Sequence, residues 1–285
     1  MKRKSIIILL AIILFLAALL LTLYPLIATK YNASHQSKLF NDYEKIIDSQ
    51  DSTERETILD LARAYNEALQ PGVQDAFSRD LLMWASKDYA DLLNITGTGV
   101  MGYVQIPKIN VNLPILHGTS TETLEVGVGH LLGSSLPIGG VGTHSILTGH
   151  SGMADKVMFS DLTDMQVGDI FFISVLGERL AYQVEDINVV MPYETELLEI
   201  VPGEDYCTLV TCTPFAVNTH RLLVRGSRIE YTAETVDEIQ PLIEAPAKSN
   251  WEQQYLKGLY IGLLLVSACG FVFWCVWSVR RKYHV

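Results

Sequence analysis

Two apolar runs bracket a strongly acidic middle, and that layout constrains this chain more than any other feature. Ile6 to Leu23 is an almost unbroken apolar run that extends through Pro25 to Ala28, and Gly258 to Val279 is rich in Leu, Val, Phe and Trp. A helix that crosses a bilayer needs about 20 such residues, and neither run shows the polar face of a packed surface helix. Lys2, Arg3 and Lys4 precede the first run, while Arg280, Arg281 and Lys282 follow the second. Basic clusters stay on the cytoplasmic side, so both termini are expected inside and the middle outside. Lys257 can snorkel at the outer end of the second run, with Trp251 and Tyr255 nearby as interfacial anchors. A cleaved signal peptide is the rival reading of the first run. Its apolar segment is long for that role, and the small-residue pattern around Leu26-Ile-Ala-Thr is poor for cleavage.

The charge sits between the runs. Of 21 basic residues, 14 lie in residues 29–255 beside all 32 acidic ones, a formal charge of −18. A surface this acidic excludes a nucleic-acid partner. The middle is also full of Val, Ile and Leu, which excludes disorder, and its 227 residues suffice for one sizeable core with an appendage.

Residues 36–98 read as helical. Leu39, Tyr43, Ile46 and Ile47 keep helical spacing, and Thr53 with Glu56 forms a capping box before Ile58, Leu61, Ala62, Tyr65 and Leu69. Pro71-Gly72 stops that helix, a non-helical stretch from Val73 to Ser78 follows, and Leu81, Leu82, Ala85, Tyr89 and Leu92 mark a third segment. From Gly102 the texture changes to short strands punctuated by Pro and Gly: residues 102–106, 113–116, 143–148, 169–175, 180–190, 207–212 and 221–231. Strands this short and this closely spaced suggest a sandwich or barrel. Residues 233–250 read as a polar tether.

Of four cysteines, Cys269 and Cys275 fall in the second apolar run. Cys207 and Cys212 share a predicted strand at an odd separation, which puts them on opposite faces where they cannot bridge. Unpaired thiols outside the cytoplasm stand where thiols oxidise, so one of them calls for a function. Thr208-Leu-Val-Thr-Cys212 delivers Cys212 to a strand end, and Arg221 opens the next strand. If the two strands pair, Arg221 lies opposite Cys212 and can hold an oxyanion through paired N–H donors. The bland alternative makes Cys212 a small buried hydrophobe. Arg225 and Arg228 are further cations, read as solvated surface charge, with Arg225 about 13 Å along the strand from Arg221. Among seven histidines, His35 and His284 are excluded by position, and His117 and His130 read as exposed turn residues. Pattern alone leaves His144, His150 and His220 open as the base. No H-x-x-x-H or C-x-x-C pair exists, so neither a metal nor another cofactor is expected.

Thr208-Leu-Val-Thr-Cys212, with Arg221 nine residues on and His150 in Thr-Gly-His-Ser-Gly sixty-two residues before, resembles the signature of the sortase family. Ile106-Pro-Lys-Ile, Gly129-His-Leu, Leu136-Pro-Ile-Gly-Gly and Asn218-Thr-His-Arg-Leu-Leu-Val-Arg-Gly resemble its class C, the pilin-polymerising enzymes, as does the layout with two spans. The resemblance covers roughly residues 99–231. It implies a mainly β fold: a sortase-type closed β-barrel preceded by a helical segment and flanked by two transmembrane helices. It also implies Cys212 as nucleophile, His150 as general acid/base and Arg221 as oxyanion or substrate clamp, with His144 and His220 in structural or peripheral roles.

Class C members carry a lid with an Asp-Pro-aromatic motif. Asp75-Ala76-Phe77 fills that position, with Ala76 in place of the proline. The domains expected are a basic stub and anchor at 1–28, a helical segment at 29–98 with the lid at 73–78, and the barrel at 99–232. A tether at 233–255, a span at 256–279 and a basic tail at 280–285 complete the chain. The implied activity is cleavage of an LPxTG-like sorting signal through a Cys thioester, followed by transfer to a lysine amine of the next pilin. The implied partners are pilin subunits and membrane lipid. The alternatives are anchoring of surface proteins to the cell wall, or a non-catalytic pilus-assembly or adhesion module.

Overall fold

The computed structural model describes residues 2–69, 89–153, 156–215, 217–230 and 250–283. The expected lid, Asp75 to Phe77, and most of the tether lie outside the described residues. Two helices lead in, α1 (Lys2–Ser49) and α2 (Ser52–Ala68). Eight strands follow: β1 (Val100–Ile106), β2 (Val111–His117), β3 (Val128–His130), β4 (Thr143–Thr148), β5 (Ile170–Val175), β6 (Glu178–Val190), β7 (Asp205–Thr213) and β8 (His220–Ile229). A six-residue helix, α3 (Thr121–Val126), sits between β2 and β3, and α4 (Asn250–Tyr283) comes last.

The strands close a barrel in the order β1-β2-β3-β4-β7-β8-β6-β5. Closure leaves no edge strand to template association. The pairs β2–β3 and β4–β7 are parallel and the others antiparallel. Alternate side chains fill the interior, among them Val104, Ile115, Ile173, Tyr182, Leu209 and Val224, each at most 2% exposed. A second, smaller cluster lies on the outer face, where Ile146, Val210 and Leu223 pack with Leu131, Val190 and Leu198. β7 is therefore buried on both faces from Cys207 to Thr211.

The first apolar run does not end as a separate helix. α1 continues from the span through Pro25 and docks its last turns on the barrel. Tyr43 and Ile47 are buried there, the Tyr43 hydroxyl donates to the Met101 carbonyl (3.1 Å) and accepts from the Leu176 N–H (3.1 Å). Burial pushes the Tyr43 phenol up to about 12, with the bond from Leu176 pulling the other way. Phe40 meets Tyr103 edge-on with ring centres 4.8 Å apart. The expected capping box does not form. α2 starts two residues earlier behind Asp51, whose side chain makes no capping bond, and Glu56 is taken instead by Arg63, which also holds Asp60 (2.7 and 2.9 Å). Ser5–Asn32 of α1 and Gln253–Val272 of α4 are each long and apolar enough to cross a bilayer, and their side chains are uncovered by protein. That surface associates the chain with a membrane.

His117 and His130 are not the exposed turn residues their glycine-flanked settings suggest. Both end paired strands, β2 and β3. A Cβ on Gly129 would lie 2.3 Å from the Gly118 carbonyl oxygen, so that glycine serves close approach of two backbones. The His117 ring bonds the carbonyls of Gly99 (2.9 Å) and Leu92 (2.7 Å). His130 is fully buried between the Tyr89 hydroxyl (2.7 Å) and the Ser135 carbonyl (2.8 Å), and burial holds it down at about 4. His144 is also held at about 4, mainly by burial.

These depressed values have a definite sign. Above pH 6.5 both rings are neutral folded and unfolded, so they contribute nothing. As the pH falls from about 6.5 toward 4 only the unfolded chain takes up the protons, and folding is progressively destabilised, by roughly 3 kcal/mol per ring at the acid limit. Urea midpoints of the detergent-solubilised chain should fall between pH 6.5 and 5, above the range in which most carboxylates titrate. A flat midpoint across that window would contradict two buried neutral rings.

Candidate active site

β7 alternates as the sequence predicts, with Cys207, Leu209 and Thr211 toward the interior and Val210 on the outer face. Cys207 is completely buried, and burial raises its thiol well above the ordinary value. Cys212, at the strand end, is half-buried, and both thiols are free.

The loop after β4 is stitched to this strand end. The Gly149 N–H donates to the Val210 carbonyl (3.0 Å), the Thr211 hydroxyl donates to the Gly149 carbonyl (2.7 Å), and the Ser151 hydroxyl donates to the Cys212 carbonyl (2.7 Å). His150 lies between the bonded residues, and its own carbonyl accepts from Phe159 N–H (2.9 Å). The parallel β4–β7 register pairs Thr148 with Val210. The register ends there, and the bonds of Gly149 and Ser151 keep the loop that carries His150 beside the β7 end that carries Cys212.

β8 supplies the third group. Arg221 is the register partner of Cys212 in the β7–β8 pair and of Val190 in the β6–β8 pair. Its Nη1 donates to the carbonyls of His220 (3.1 Å) and Asn218 (3.3 Å), which leaves its other N–H donors for a ligand. Among the described residues it has no carboxylate partner. The sequence thus brings three residues from three separate strands or strand ends to one place: Cys212, His150 and Arg221.

The competing residues are placed elsewhere. His220 is opposite Thr213, one step from Arg221 and therefore on the other face of β8. His144 is buried and bonded at both nitrogens. Arg225 is not a solvated surface charge: its Nε bonds Glu185 (2.8 Å), its Nη2 lies 3.5 Å from Asp186, and its guanidinium covers the Tyr206 ring at 4.8 Å. Two carboxylates and a ring hold it in place. Arg228 stands over the Tyr182 ring at 5.6 Å. Among the described residues there is no group of three His, Cys, Asp or Glu able to hold a metal ion.

One part of the site gave no sequence signal. Residues 191–200, between β6 and β7, roof the outer cluster over a cavity of about 150 Å³ lined by Ile146, Val190, Leu198, Val210, Leu223 and Arg221, among others. No periodicity marks a roof there.

Residues 104–229 match the model of the sortase domain. The structure is similar to that of sortase C1 from Streptococcus agalactiae, at 45% identity over 68% of this chain and 100% of that one, with a TM-score of 0.63. It is likewise similar to a sortase C of Streptococcus pneumoniae studied for its pilin substrate specificity, at 42% identity over 69% of this chain and 98% of that one, with a TM-score of 0.62. Sortase A of Streptococcus agalactiae is 31% identical over 145 residues, which are 49% of this chain and 57% of that protein, so the chain spans little more than half of this curated relative. A barrel of this strand order, a Cys–Arg pair across β7–β8 and these likenesses lead to one assignment: the chain belongs to the sortase family, as a member of its class C.

Proposed function

We propose that the chain is a membrane-anchored cysteine transpeptidase that joins pilin subunits. The observation that carries this reading is the opposition of Cys212 and Arg221 across β7–β8, with the His150 loop bonded to the same strand end. The pilin substrate of the similar pneumococcal enzyme supports the choice of acceptor and donor.

In this reaction the Cys212 thiolate attacks the Thr carbonyl of an LPxTG-like sorting signal. The developing oxyanion is held by the Arg221 guanidinium. Collapse breaks the Thr–Gly bond as His150 gives a proton to the departing Gly amine, and a thioester remains on Cys212. A lysine amine of the next pilin then attacks the thioester, His150 takes the amine proton, and the thiolate leaves as an isopeptide bond forms. The apolar cavity under residues 191–200 takes an aliphatic side chain of the sorting signal, since Arg221 is among the residues that line it. Asp75, Ala76 and Phe77 act as a lid that limits water at the thioester. Cell-wall anchoring and a non-catalytic role remain the outcomes against which this reading is tested.

With the full chain in detergent, Cys212→Ala should abolish thioester and polymer, whereas Cys207→Ala should leave turnover within a few-fold, because Cys207 faces the interior. His150→Ala should also stop turnover. Arg221→Lys should lower kcat by about 10²–10³, since one ammonium cannot reproduce the forked donors. Equal losses in the two cysteine variants, or near-native turnover in Arg221→Lys, would overturn the assignment of roles.

The same reading places both termini in the cytoplasm and the barrel outside. Reporter fusions after residue 250 should read outside and fusions after residue 285 inside. An outside signal at the C-terminus would refute it.

A further inference from the structure

The roof over the apolar cavity is held at its ends by covalent continuity with β6 and by the Glu204 carbonyl, which accepts from the N–H groups of Gly142 (2.7 Å) and Thr143 (3.2 Å). Between those ends its own hydrogen bonds are internal turns, such as Glu194 N–H to Met191 and Leu198 N–H to Thr195. Among the described residues one hydrogen bond joins residues 191–199 to the barrel wall: His144 Nδ1 meets the Glu199 carbonyl at 2.8 Å. The other ring nitrogen, Nε2, lies 2.7 Å from the Thr208 hydroxyl. His144 and Thr208 are each 1% exposed.

The partners decide where the proton sits. A carbonyl only accepts, so Nδ1 must carry the hydrogen, and in a neutral ring Nε2 must then accept from Thr208. The reverse tautomer would set a nitrogen lone pair against the Glu199 carbonyl inside the protein, an unsatisfied and costly contact. The Glu199 carbonyl thereby fixes the tautomer, and Thr208, the first residue of Thr208-Leu-Val-Thr-Cys212, satisfies the remaining lone pair of a histidine on β4 that in turn holds the roof. The ring is further fixed by Tyr206, edge-on at 5.6 Å between ring centres, and Tyr206 by Arg225 above it. His144 also lines the cavity, beside Ile146 and Ile200.

We propose that His144 is a positioning residue: with Nδ1–H donating to the Glu199 carbonyl and Nε2 seated on the Thr208 hydroxyl, it latches residues 191–200 onto the barrel and so tightens binding of the sorting signal, taking no part in bond making or breaking. This rests on the reading of the cavity as part of the substrate site. Its consequence is a split between binding and chemistry. Losing the latch loosens the roof and raises KM, while Cys212, His150 and Arg221, held by the β4–β7 and β7–β8 registers, keep their geometry and kcat.

The test uses two pairs of variants of the full chain. Asn places its amide N–H where Nδ1 was and keeps the bond to Glu199, whereas Gln reaches only toward Thr208. His144→Gln and Thr208→Val should therefore raise KM for a sorting-signal peptide about three- to tenfold, the worth of one buried hydrogen bond, with kcat within twofold. Amide hydrogen exchange across residues 196–200 should quicken in the same two variants. His144→Asn and Thr208→Ser should stay within twofold of the parent in both measurements. Should the His144 variants fail to fold, the nearly isosteric Thr208 pair decides alone. The exchange measurement needs no turnover: if the parent does not process the peptide, the proposed function fails, while unchanged exchange in His144→Gln or Thr208→Val sinks the latch. Quickened exchange with unmoved KM, a fall in kcat instead of a rise in KM, or equal effects of Asn and Gln would each overturn the proposal.

Discussion

β7 is hydrogen-bonded on both sides at once, parallel to β4 and antiparallel to β8, and the two registers together fix the site. Thr148 opposite Val210 brings the loop carrying His150 beside the β7 end that carries Cys212, and Cys212 opposite Arg221 brings in the guanidinium. Side chains alternate along a strand, so a slip of one residue in either pair would turn a functional group to the other face. Protection against that slip comes from burial. Cys207, Leu209 and Thr211 fill the interior while Val210 and Leu223 fill the outer cluster, so β7 has no solvent face onto which its apolar set could be moved. The same packing that stabilises the barrel thus aligns three residues far apart in sequence.

Residue type alone does not set the chemistry here. Cys207 and Cys212 stand on one strand, yet the first is fully buried with its thiol raised far above its usual range, and the second is half-buried at the strand end beside a cation. A thiol reacts as thiolate, so only the second setting suits a nucleophile. The arginines of β8 divide in a similar way. Arg225 is held by Glu185, Asp186 and the Tyr206 ring, and Arg221 keeps N–H donors free because the described part of the chain supplies it no carboxylate.

What could be read from the sequence was what local pattern carries. Seven strands announced themselves through short β-rich runs between Gly and Pro, and the odd spacing of the two cysteines stated their faces. The three-residue β3 was too short to show a period, and its glycine looked like a turn signal because the close approach to Gly118 is a tertiary fact. His117 and His130 were misjudged for the same reason: their partners are carbonyls and a tyrosine supplied by distant loops. Thr53 and Glu56 fit the capping box, but Arg63 competes for Glu56 from two turns along. Residues 191–200 have no period because they follow the contour of an outer surface that other strands create. Pattern was informative wherever a segment's environment is periodic, and silent wherever it is assembled by chain crossings.

The anchor and the chemistry occupy opposite ends of the longest strand. α1 docks through Tyr43 on Leu176, in the turn that opens β6, and β6 reaches Val190 beside Arg221 twelve residues later. At about 3.3 Å per residue that is roughly 40 Å of strand. On the other side of the dock, the eleven residues from the end of the apolar stretch at Asn32 to Tyr43 add roughly 16 Å of continuous helix. A flexible linker would let the barrel turn freely on its tether, whereas a helix that enters the core resists this by the burial of Tyr43 and Ile47 and by the two bonds to the Tyr43 hydroxyl. Because the dock uses the turn between β5 and β6 and the start of β1, it makes no demand on the β4–β7–β8 ends where the reactive groups lie. The barrel can therefore be held firmly at one end while the dock leaves the end that carries Cys212 and Arg221 unencumbered.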